Sequence, residues 1–315
     1  MGDDMKTIRN ILSVIIVIGL VFVELYVVAI SNVERFINQE TLSKATSKVN
    51  LAQTLKDSAT TNETMNQVVT GIYGIAARSN ITNEQLDAVI NSDSVKNFSG
   101  TYLNYVADYF MTGEEHVLSG DEVRGVVNDH IDDIVAGSNG TLNEANKSQI
   151  LNMVNNNASE VASLIPRPSV YAESIGADEL QAFRELFNSK YKNKAYIAIV
   201  VGLLLLVLIQ FSFYKWLIFS GVANAIVGGI TCLLSGSIIQ LFMIRFGKQS
   251  TILENLLSPF SSVLSKQFLI TGGIILAIAL VQIIIYFSLK RRFKEEYVES
   301  IIDSMREEKN NDFSI

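Results

Sequence analysis

Four long apolar segments constrain this chain more than any other feature of its sequence. A helix needs about 20 mostly apolar residues to cross the hydrocarbon core of a bilayer, which is about 30 Å thick. Backbone amides find no water there, so each crossing segment must be helical. The sequence therefore predicts an all-α protein with four transmembrane helices, at residues 11–30, 195–213, 216–246 and 268–289.

The composition agrees with a bilayer as solvent. Apolar residues make up 49% of the chain and charged residues 18%, against a charged share of about 25% in soluble domains. The apolar excess lies in the four predicted spans, and the charge lies between and after them. Cys232 is the single cysteine, so no disulfide can form within one chain. This favours a bacterial envelope or a reducing compartment.

The first apolar segment has two interpretations. Lys6 and Arg9 precede it, and the run Ala29-Ile30-Ser31 suits a signal peptidase. However, the segment is longer than the 7–15 apolar residues usual for a signal peptide, and it contains Glu24. We therefore expect an uncleaved membrane anchor.

Basic residues near the spans predict the orientation. Lys6 and Arg9 stand before the first span, and a cluster at residues 290–294 follows the last. Both place the termini, residues 1–10 and 290–315, in the cytoplasm of a bacterial plasma membrane. Lys190, Lys192 and Lys194 lie on the opposite side, so the two sides are nearly tied. The first helix and the terminal cluster favour an outer location for residues 31–194.

Residues 31–194 are predicted to form an acidic, helical, extracytoplasmic domain between the first and second spans. Acidic residues outnumber basic ones there, which disfavours nucleic acid as a partner. An apolar stripe with helical spacing over residues 42–59 predicts a stalk continuing from the first span. A second stripe over residues 180–191 predicts a helix that runs unbroken into the second span. We expect these two helices to pair as in a bundle.

Shorter helices are predicted between these two. Thr82-Asn83-Glu84-Gln85 and Ser119-Gly120-Asp121-Glu122 are typical helix starts. The second start is followed by one predicted helix that reaches Ile134. Other helices are predicted around the aromatic residues 98–110 and over 143–164, where Pro166 and Pro168 end the second of them. Residues 249–267 predict an amphipathic loop on the outer surface, bent at Pro259.

One segment of this domain resembles part of a group of Gram-positive bacterial membrane proteins. It runs Phe110-Met-Thr-Gly-Glu-Glu-His-Val-Leu-Ser-Gly-Asp-Glu-Val-Arg-Gly-Val-Val-Asn-Asp-His-Ile-Asp-Asp and ends at Asp133. Those proteins share one span, a helical outer domain and three further spans. The resemblance implies a bacterial plasma membrane and this topology, and it implies no activity.

Polar residues inside the predicted spans are candidates for function. A carboxylate such as Glu24 costs a few kcal/mol in a span unless it is paired, protonated or wet. Gln240 in the third span is its expected partner, and Gln210 and Gln282 are expected to bond each other. Such amides more often join helices than line a pathway. The alternative for Glu24 is a structural hydrogen bond or a side chain that reaches the interface.

The third span is rich in small residues. Gly221, Gly228 and Ser235 recur every seven residues, and Gly229 and Gly236 form a second row beside them. Small residues let helix backbones approach closely. We therefore expect helix packing here, with a helix that slides or rotates as the alternative.

The sequence predicts no catalytic, cofactor or metal site. His116 and His130 are the only histidines. Asp129 and Asp133 are expected on one helical face with His130 pointing elsewhere, so a solvated acidic face is favoured over a metal site. No serine lies in a nucleophile elbow.

The leading functional hypothesis is a membrane-anchored binding or accessory protein. Its outer domain would recognise a ligand or an envelope partner, and its spans would contact another membrane protein or a second copy. The alternatives are a subunit of an oligomeric transporter or channel that uses Glu24 and the intramembrane glutamines, a membrane enzyme, and a structural or adhesive spacer.

Overall fold

The computed structural model describes the backbone of residues 2–173, 175–212, 214–246 and 251–312. It describes their side chains except at 2–4, 39, 238–262, 297, 299 and 301–312. These residues form helices and turns, with no strand among them. The predicted all-α fold is therefore confirmed.

Thirteen α-helices and one 3₁₀ helix follow one another over these residues. They are α1 (Gly2–Phe36), α2 (Gln39–Thr46), α3 (Leu51–Ala59), α4 (Glu63–Arg78), α5 (Asn83–Ile90), α6 (Asp93–Thr112), α7 (Gly120–Asn128), α8 (Ile131–Gly137), α9 (Glu144–Leu164), the 3₁₀ helix (Pro168–Ala172), α10 (Ala177–Phe187), α11 (Ser189–Gln210), α12 (Trp216–Phe246) and α13 (Thr251–Asp312).

The chain divides into two compact units. The apolar unit comprises Met1–Ala29, Lys192–Leu234 and Phe268–Ile315, and the helical domain comprises Ile30–Tyr191 and Ser235–Gln267. Four helices are long and apolar enough to cross a membrane, over Met5–Phe36, Ser189–Gln210, Trp216–Ser237 and Val263–Glu296. This number and order agree with the four predicted spans.

In the apolar unit, α1, α11 and α12 share one cluster of apolar side chains. Leu206 is fully buried against Val17 and Leu20 of α1 and Ala223 of α12. Gly202 lets α11 approach α1 closely, since a Cβ atom there would lie 2.7 Å from Leu20 Cδ2. A methyl group at this glycine would require the buried Leu20 side chain to shift.

The helical domain is built around one core and one central helix. The core buries Ile75, Ile134 and Ile150 from α4, α8 and α9. Helix α6 packs against α2, the 3₁₀ helix and α10. Its Gly100 touches α2, because a Cβ atom there would lie 2.6 Å from Ser43 Cα. Beside it, the Thr46 hydroxyl donates a 2.8 Å hydrogen bond to the Lys96 carbonyl.

Both predicted helix starts are confirmed. The Thr82 hydroxyl accepts from the Gln85 amide, and the Gln85 side chain accepts from the Thr82 amide, so α5 begins with a capping box. Ser119 and Glu122 form the same reciprocal pair at the start of α7. The aromatic helix is α6, and the helix predicted over 143–164 is α9.

The predicted stalk is wrong, because asparagine side chains interrupt it. Helix α1 ends at Phe36, and the Asn38 carboxamide caps a new helix by accepting from the Thr41 amide. Asn50 caps α3 in the same way. A cap satisfies amides that a helix start leaves without partners. The apolar spacing across these breaks therefore did not require one continuous helix.

The predicted unbroken helix into the second span is also wrong. Asn188 has an extended backbone, and its side chain accepts from the Lys190 amide, which starts α11. Helix α10 packs on α6, as α2 does. Helices α2 and α10 carry parts of the two apolar stripes that we expected to pair with each other. Both helices pack on α6 instead.

Two further corrections concern helix boundaries. The helix predicted from Ser119 to Ile134 is two helices, α7 and α8, with the break at Asp129 and His130. After this break, Ile131 and Ile134 are buried in the same core as Val127.

The predicted loop over 249–267 is helical from Thr251 onward and belongs to α13, which runs through Pro259. A proline in a helix interior removes one hydrogen bond and crowds the preceding turn, and α13 nevertheless continues through it. The apolar side chains predicted to lie flat there, at residues 252–260, are outside the described ones.

The first prediction tests the contact between α2 and α6. We expect Gly100→Ala to lower the free energy of unfolding of the helical domain by about 1–3 kcal/mol, because the new methyl group meets Ser43 backbone. Gly74→Ala is the control: its Cβ atom would meet only the end of Arg78 at 3.9 Å, so better helix propensity should leave stability unchanged or raise it. Hydrogen exchange of the α6 amides measures both. Equal effects of the two substitutions would contradict the close contact.

The second prediction tests the contact between α12 and α13. A Cβ atom at Gly228 would lie 2.9 Å from the Gly272 carbonyl oxygen, whereas one at Gly229 would have no atom within 4 Å. We expect Gly228→Ala to lower the concentration of sodium dodecyl sulfate at which the chain unfolds. Gly229→Ala should leave it unchanged, and the opposite order of the two variants would exclude this packing.

Candidate functional site

An apolar cavity lies inside the helical domain. Its volume is about 260 Å³. Helices α3 to α7, α9 and the 3₁₀ helix supply its walls, and 21 of its 25 lining residues have side chains without a hydroxyl, amide or charge. Representative wall residues are Leu55, Val68, Val106, Val127 and Met153. A cavity with such walls gives water few partners and favours an apolar occupant.

Four wall residues carry hydroxyl groups. They are Thr54, Ser99, Tyr102 and Tyr171. The Ser99 hydroxyl donates to the Val95 carbonyl at 2.9 Å, within its own helix. The Tyr102 hydroxyl donates to the Pro166 carbonyl and lies 3.5 Å from the Tyr171 hydroxyl. Burial raises the pKa of both tyrosines above the ordinary phenol value. Both therefore stay neutral, and the cavity holds no charge.

The cavity is large for a protein interior, in which voids bigger than a water molecule are few. An engineered cavity of about 150 Å³ binds benzene, and this one is larger. An occupant that filled it would restore dispersion contacts with the walls.

A polar cleft lies beside this cavity. It has a volume of about 590 Å³, and it is open to solvent. Helix α6 contributes Ser94, Asn97 and Thr101, and the residues around the α7–α8 break contribute Asp129 and His130. Phe98 and Val126 line both the cleft and the cavity. These two half-buried side chains therefore form a shared wall.

The intramembrane glutamines Gln210 and Gln282 form hydrogen bonds between helices. We had expected these two residues to bond each other, and they do not. The Gln210 side-chain amide of α11 donates a 2.7 Å hydrogen bond to the Ser13 hydroxyl of α1, and both residues are buried. The Gln282 side chain of α13 accepts from Asn224 at 2.9 Å and donates to Ser220 at 3.0 Å. Each glutamine side chain is thus bonded to residues of another helix, and the predicted pair between Gln210 and Gln282 is wrong.

Glu24 lies in α1 and is half-buried. Its Oε2 atom is buried and has no hydrogen-bond partner among the described residues. The side chain of Gln240, its expected partner, lies outside the described ones. The pairing of Glu24 with Gln240 therefore stays a prediction.

The small residues of α12 occupy different environments. Gly221 approaches Ile283 of α13, where a Cβ atom would lie 2.9 Å from Cγ1, and Gly228 meets Gly272 and Leu276. Ser235 is buried. Gly229 and Gly236 would each accept a Cβ atom with no neighbour within 4 Å. Among the described residues, the close approaches to α13 are therefore made by Gly221 and Gly228, and not by the row of Gly229 and Gly236.

The histidines have ordinary surface partners. His116 stacks on Tyr105 with ring centroids 3.9 Å apart, and its Nε2 lies 2.9 Å from the Glu122 carboxylate. His130 Nδ1 lies 3.7 Å from the Asp133 carboxylate. We had expected Asp129 and Asp133 on one face of a single helix. The α7–α8 break separates them, so they do not share a helix. The described residues contain no group of three or more His, Cys, Asp or Glu side chains that could hold a metal ion.

Sequence reasoning missed the cavity and two helix-joining residues. Asn224 and Ser220 lie four residues apart, so they share one face of α12, and this spacing was a signal for a polar contact with Gln282. No comparable signal existed for the cavity. Its wall residues have the spacing of ordinary core residues, and the space between them depends on how seven helices and connections meet.

The comparisons with known proteins do not place this chain in a family: no family model, no curated protein and no solved structure matches it.

Proposed function

We propose that this chain is a membrane-anchored binding protein whose helical domain takes up a small, largely apolar molecule or group. The observation that carries this proposal is the uncharged cavity of about 260 Å³. Ligand sites are typically concave and mostly apolar, with a few polar groups. Thr54 and the Tyr102–Tyr171 pair are the groups that would orient an occupant.

The membrane anchor follows from the four apolar helices, which support a multi-pass membrane protein. We propose a bacterial plasma membrane with both termini in the cytoplasm and the helical domain outside. The charge cluster at residues 290–294 and the basic pair Lys6 and Arg9 support this orientation under the positive-inside rule. A membrane or envelope protein, or a second copy of the chain, would be the partner that responds to binding.

The third prediction tests the cavity with a substitution that fills it. We expect Val106→Phe, in the cavity wall, to reduce binding of naphthalene at least tenfold, because the new ring occupies the space. Val117→Phe is the matched control, since Val117 is exposed. Equilibrium dialysis against the full chain in phosphatidylcholine nanodiscs measures binding, after subtraction of uptake by empty nanodiscs.

Two outcomes of this experiment would contradict the proposed function. One is the absence of any naphthalene uptake above that of empty nanodiscs. The other is equal uptake by the Val106→Phe and Val117→Phe variants, which would place the binding elsewhere in the chain. Hydrogen exchange of the α6 amides establishes that both variants remain folded.

A second candidate function is a subunit of an oligomeric transporter or channel. The buried Glu24 oxygen without a described partner favours it, because a carboxylate in a span is a common part of an ion or proton pathway. Four helices are few for a pore, so several copies of the chain would be needed.

The fourth prediction tests this candidate by proton flux into liposomes, followed with an entrapped pH-sensitive dye. If the chain carries protons through Glu24, Glu24→Gln should abolish the flux, because the amide cannot exchange a proton. Glu34→Gln on the same helix is the control and should conduct like the natural chain. Flux that is absent from the natural chain, or unchanged by Glu24→Gln, would remove the transport candidate.

A further inference from the structure

One part of the cavity wall is neither helical nor held by its own backbone. Residues 113–119, which we call the strap, connect α6 to α7. Leu118 of the strap is buried and lines the cavity, whereas residues 114–117 are exposed. Among the described residues, the amide and carbonyl groups of 115–118 make no hydrogen bond. A segment with an exposed backbone and few bonds opens at a lower free-energy cost than a packed helix does.

Side-chain contacts at the surface fasten the strap to three neighbouring elements. The Glu115 carboxylate accepts a 3.1 Å hydrogen bond from the Ser169 amide of the 3₁₀ helix. The His116 ring stacks on Tyr105 of α6, and its Nε2 atom lies 2.9 Å from the Glu122 carboxylate of α7. Glu115 and His116 are both exposed. Polar contacts of exposed side chains are individually weak and exchange with water, so the strap is held on its outer side by contacts that break easily.

The other non-helical stretch of the wall is more firmly bound. It contains Ile165 and Pro166. The Pro166 carbonyl accepts a hydrogen bond from the half-buried Tyr102 hydroxyl of α6. The remaining wall residues belong to helices, which leave the wall only by losing packing over several turns. The strap is therefore the described part of the wall that has the fewest contacts to break.

Both ends of the strap allow it to detach without unwinding a helix. Gly113 ends α6 with φ +86°, a conformation that glycine adopts readily. At the other end, Glu122 uses separate oxygens for its two partners. Its Oε2 accepts from the Ser119 amide in the capping box of α7, and its Oε1 contacts His116. The start of α7 thus stays capped when His116 leaves.

We propose that the strap is the gate of the cavity. Leu118 is the side chain that closes it, and the contacts of Glu115 and His116 are its latch. A ligand enters and leaves when these contacts break and Leu118 moves out of the wall. This inference rests on the proposed function, because it concerns access to the same cavity. It adds a kinetic property: the latch sets the rate of ligand exchange and has little effect on affinity, since it is closed both with and without ligand.

The double variant Glu115→Ala/His116→Ala tests this property in the full chain in phosphatidylcholine nanodiscs. The probe is 1-fluoronaphthalene, whose release rate is measured by fluorine-19 exchange NMR and whose dissociation constant is measured by equilibrium dialysis against empty nanodiscs. Loss of the bound signal in Val106→Phe assigns that signal to the cavity. We expect the double variant to release the probe about fivefold faster, because each lost contact makes opening easier, and to change the dissociation constant by less than about twofold.

Single substitutions in the strap provide the controls. Glu114→Ala removes a neighbouring exposed carboxylate that makes no side-chain hydrogen bond or ion pair among the described residues, so its release rate should equal that of the natural chain. Glu115→Gln keeps an oxygen that can accept from the Ser169 amide, and it should release the probe more slowly than Glu115→Ala does. Hydrogen exchange of the α6 amides establishes that each variant is folded.

The outcomes separate this inference from the proposed function. If the natural chain takes up no probe above the blank, or if Val106→Phe keeps the bound signal, the proposed function fails and this inference fails with it. If the probe binds in the cavity but the double variant and Glu115→Ala release it at the natural rate, the strap is not the gate. If affinity falls in the same proportion as release accelerates, entry is unchanged, and the latch acts on the bound state alone. Either of these last two results overturns this inference and leaves the proposed function standing.

Discussion

The apolar helices of this chain bury only a minority of their residues against one another, and most of the architecture depends on this. In each apolar window of the four candidate spans, no more than 33% of the residues are buried within the chain. Large side chains such as Phe22, Leu204 and Leu233 remain exposed. In water, such surfaces would drive association, so a bilayer must serve as their solvent. Lipid solvates apolar side chains as well as another helix does, so the helices are held together by hydrogen bonds between polar side chains and by close backbone contact.

The apolar unit contains both kinds of contact. Gln210 and Ser13 pair α11 with α1, while Gln282 joins α13 to Asn224 and Ser220 of α12. Each amide satisfies polar groups that would otherwise lie in an apolar surrounding. Gly228 and Gly272 bring the backbones of α12 and α13 together. Several polar residues in the spans therefore have structural partners, whereas the buried Glu24 Oε2 atom has none among the described residues.

The helical domain is organised by α6, whose sides make different contacts. Gly100 permits contact with α2, Tyr109 packs beneath the Arg184 guanidinium of α10, and Val106 faces the cavity. The Arg184 guanidinium also donates to the Tyr109 carbonyl at 3.1 Å. Two sides of α6 are thus fixed by close or polar contacts, which limits how far the helix can move to close the space on its remaining side.

Sequence reasoning predicted the elements of this fold better than their connections. The spans, the capped starts at Thr82 and Ser119 and the end of α9 depend on local chemistry, and they could be identified from a few neighbouring residues. The stalk failed because apolar spacing continues across residues that carry a cap, and Asn38, Asn50 and Asn188 compete locally with helix continuation. The acidic character of the helical domain was visible in the sequence. The cavity was not, since it depends on the distances between helices.

The cavity is best understood from the sizes of the side chains around it. Val68, Val106, Val123, Val126 and Val127 all contribute to its walls. One larger side chain at any of these positions would occupy part of the space. A ligand at 100 times its dissociation constant stabilises a folded domain by about 2.7 kcal/mol. Under the proposed function, binding would therefore stabilise the helical domain while the ligand is present, and a substitution that fills the space would remove this dependence on ligand.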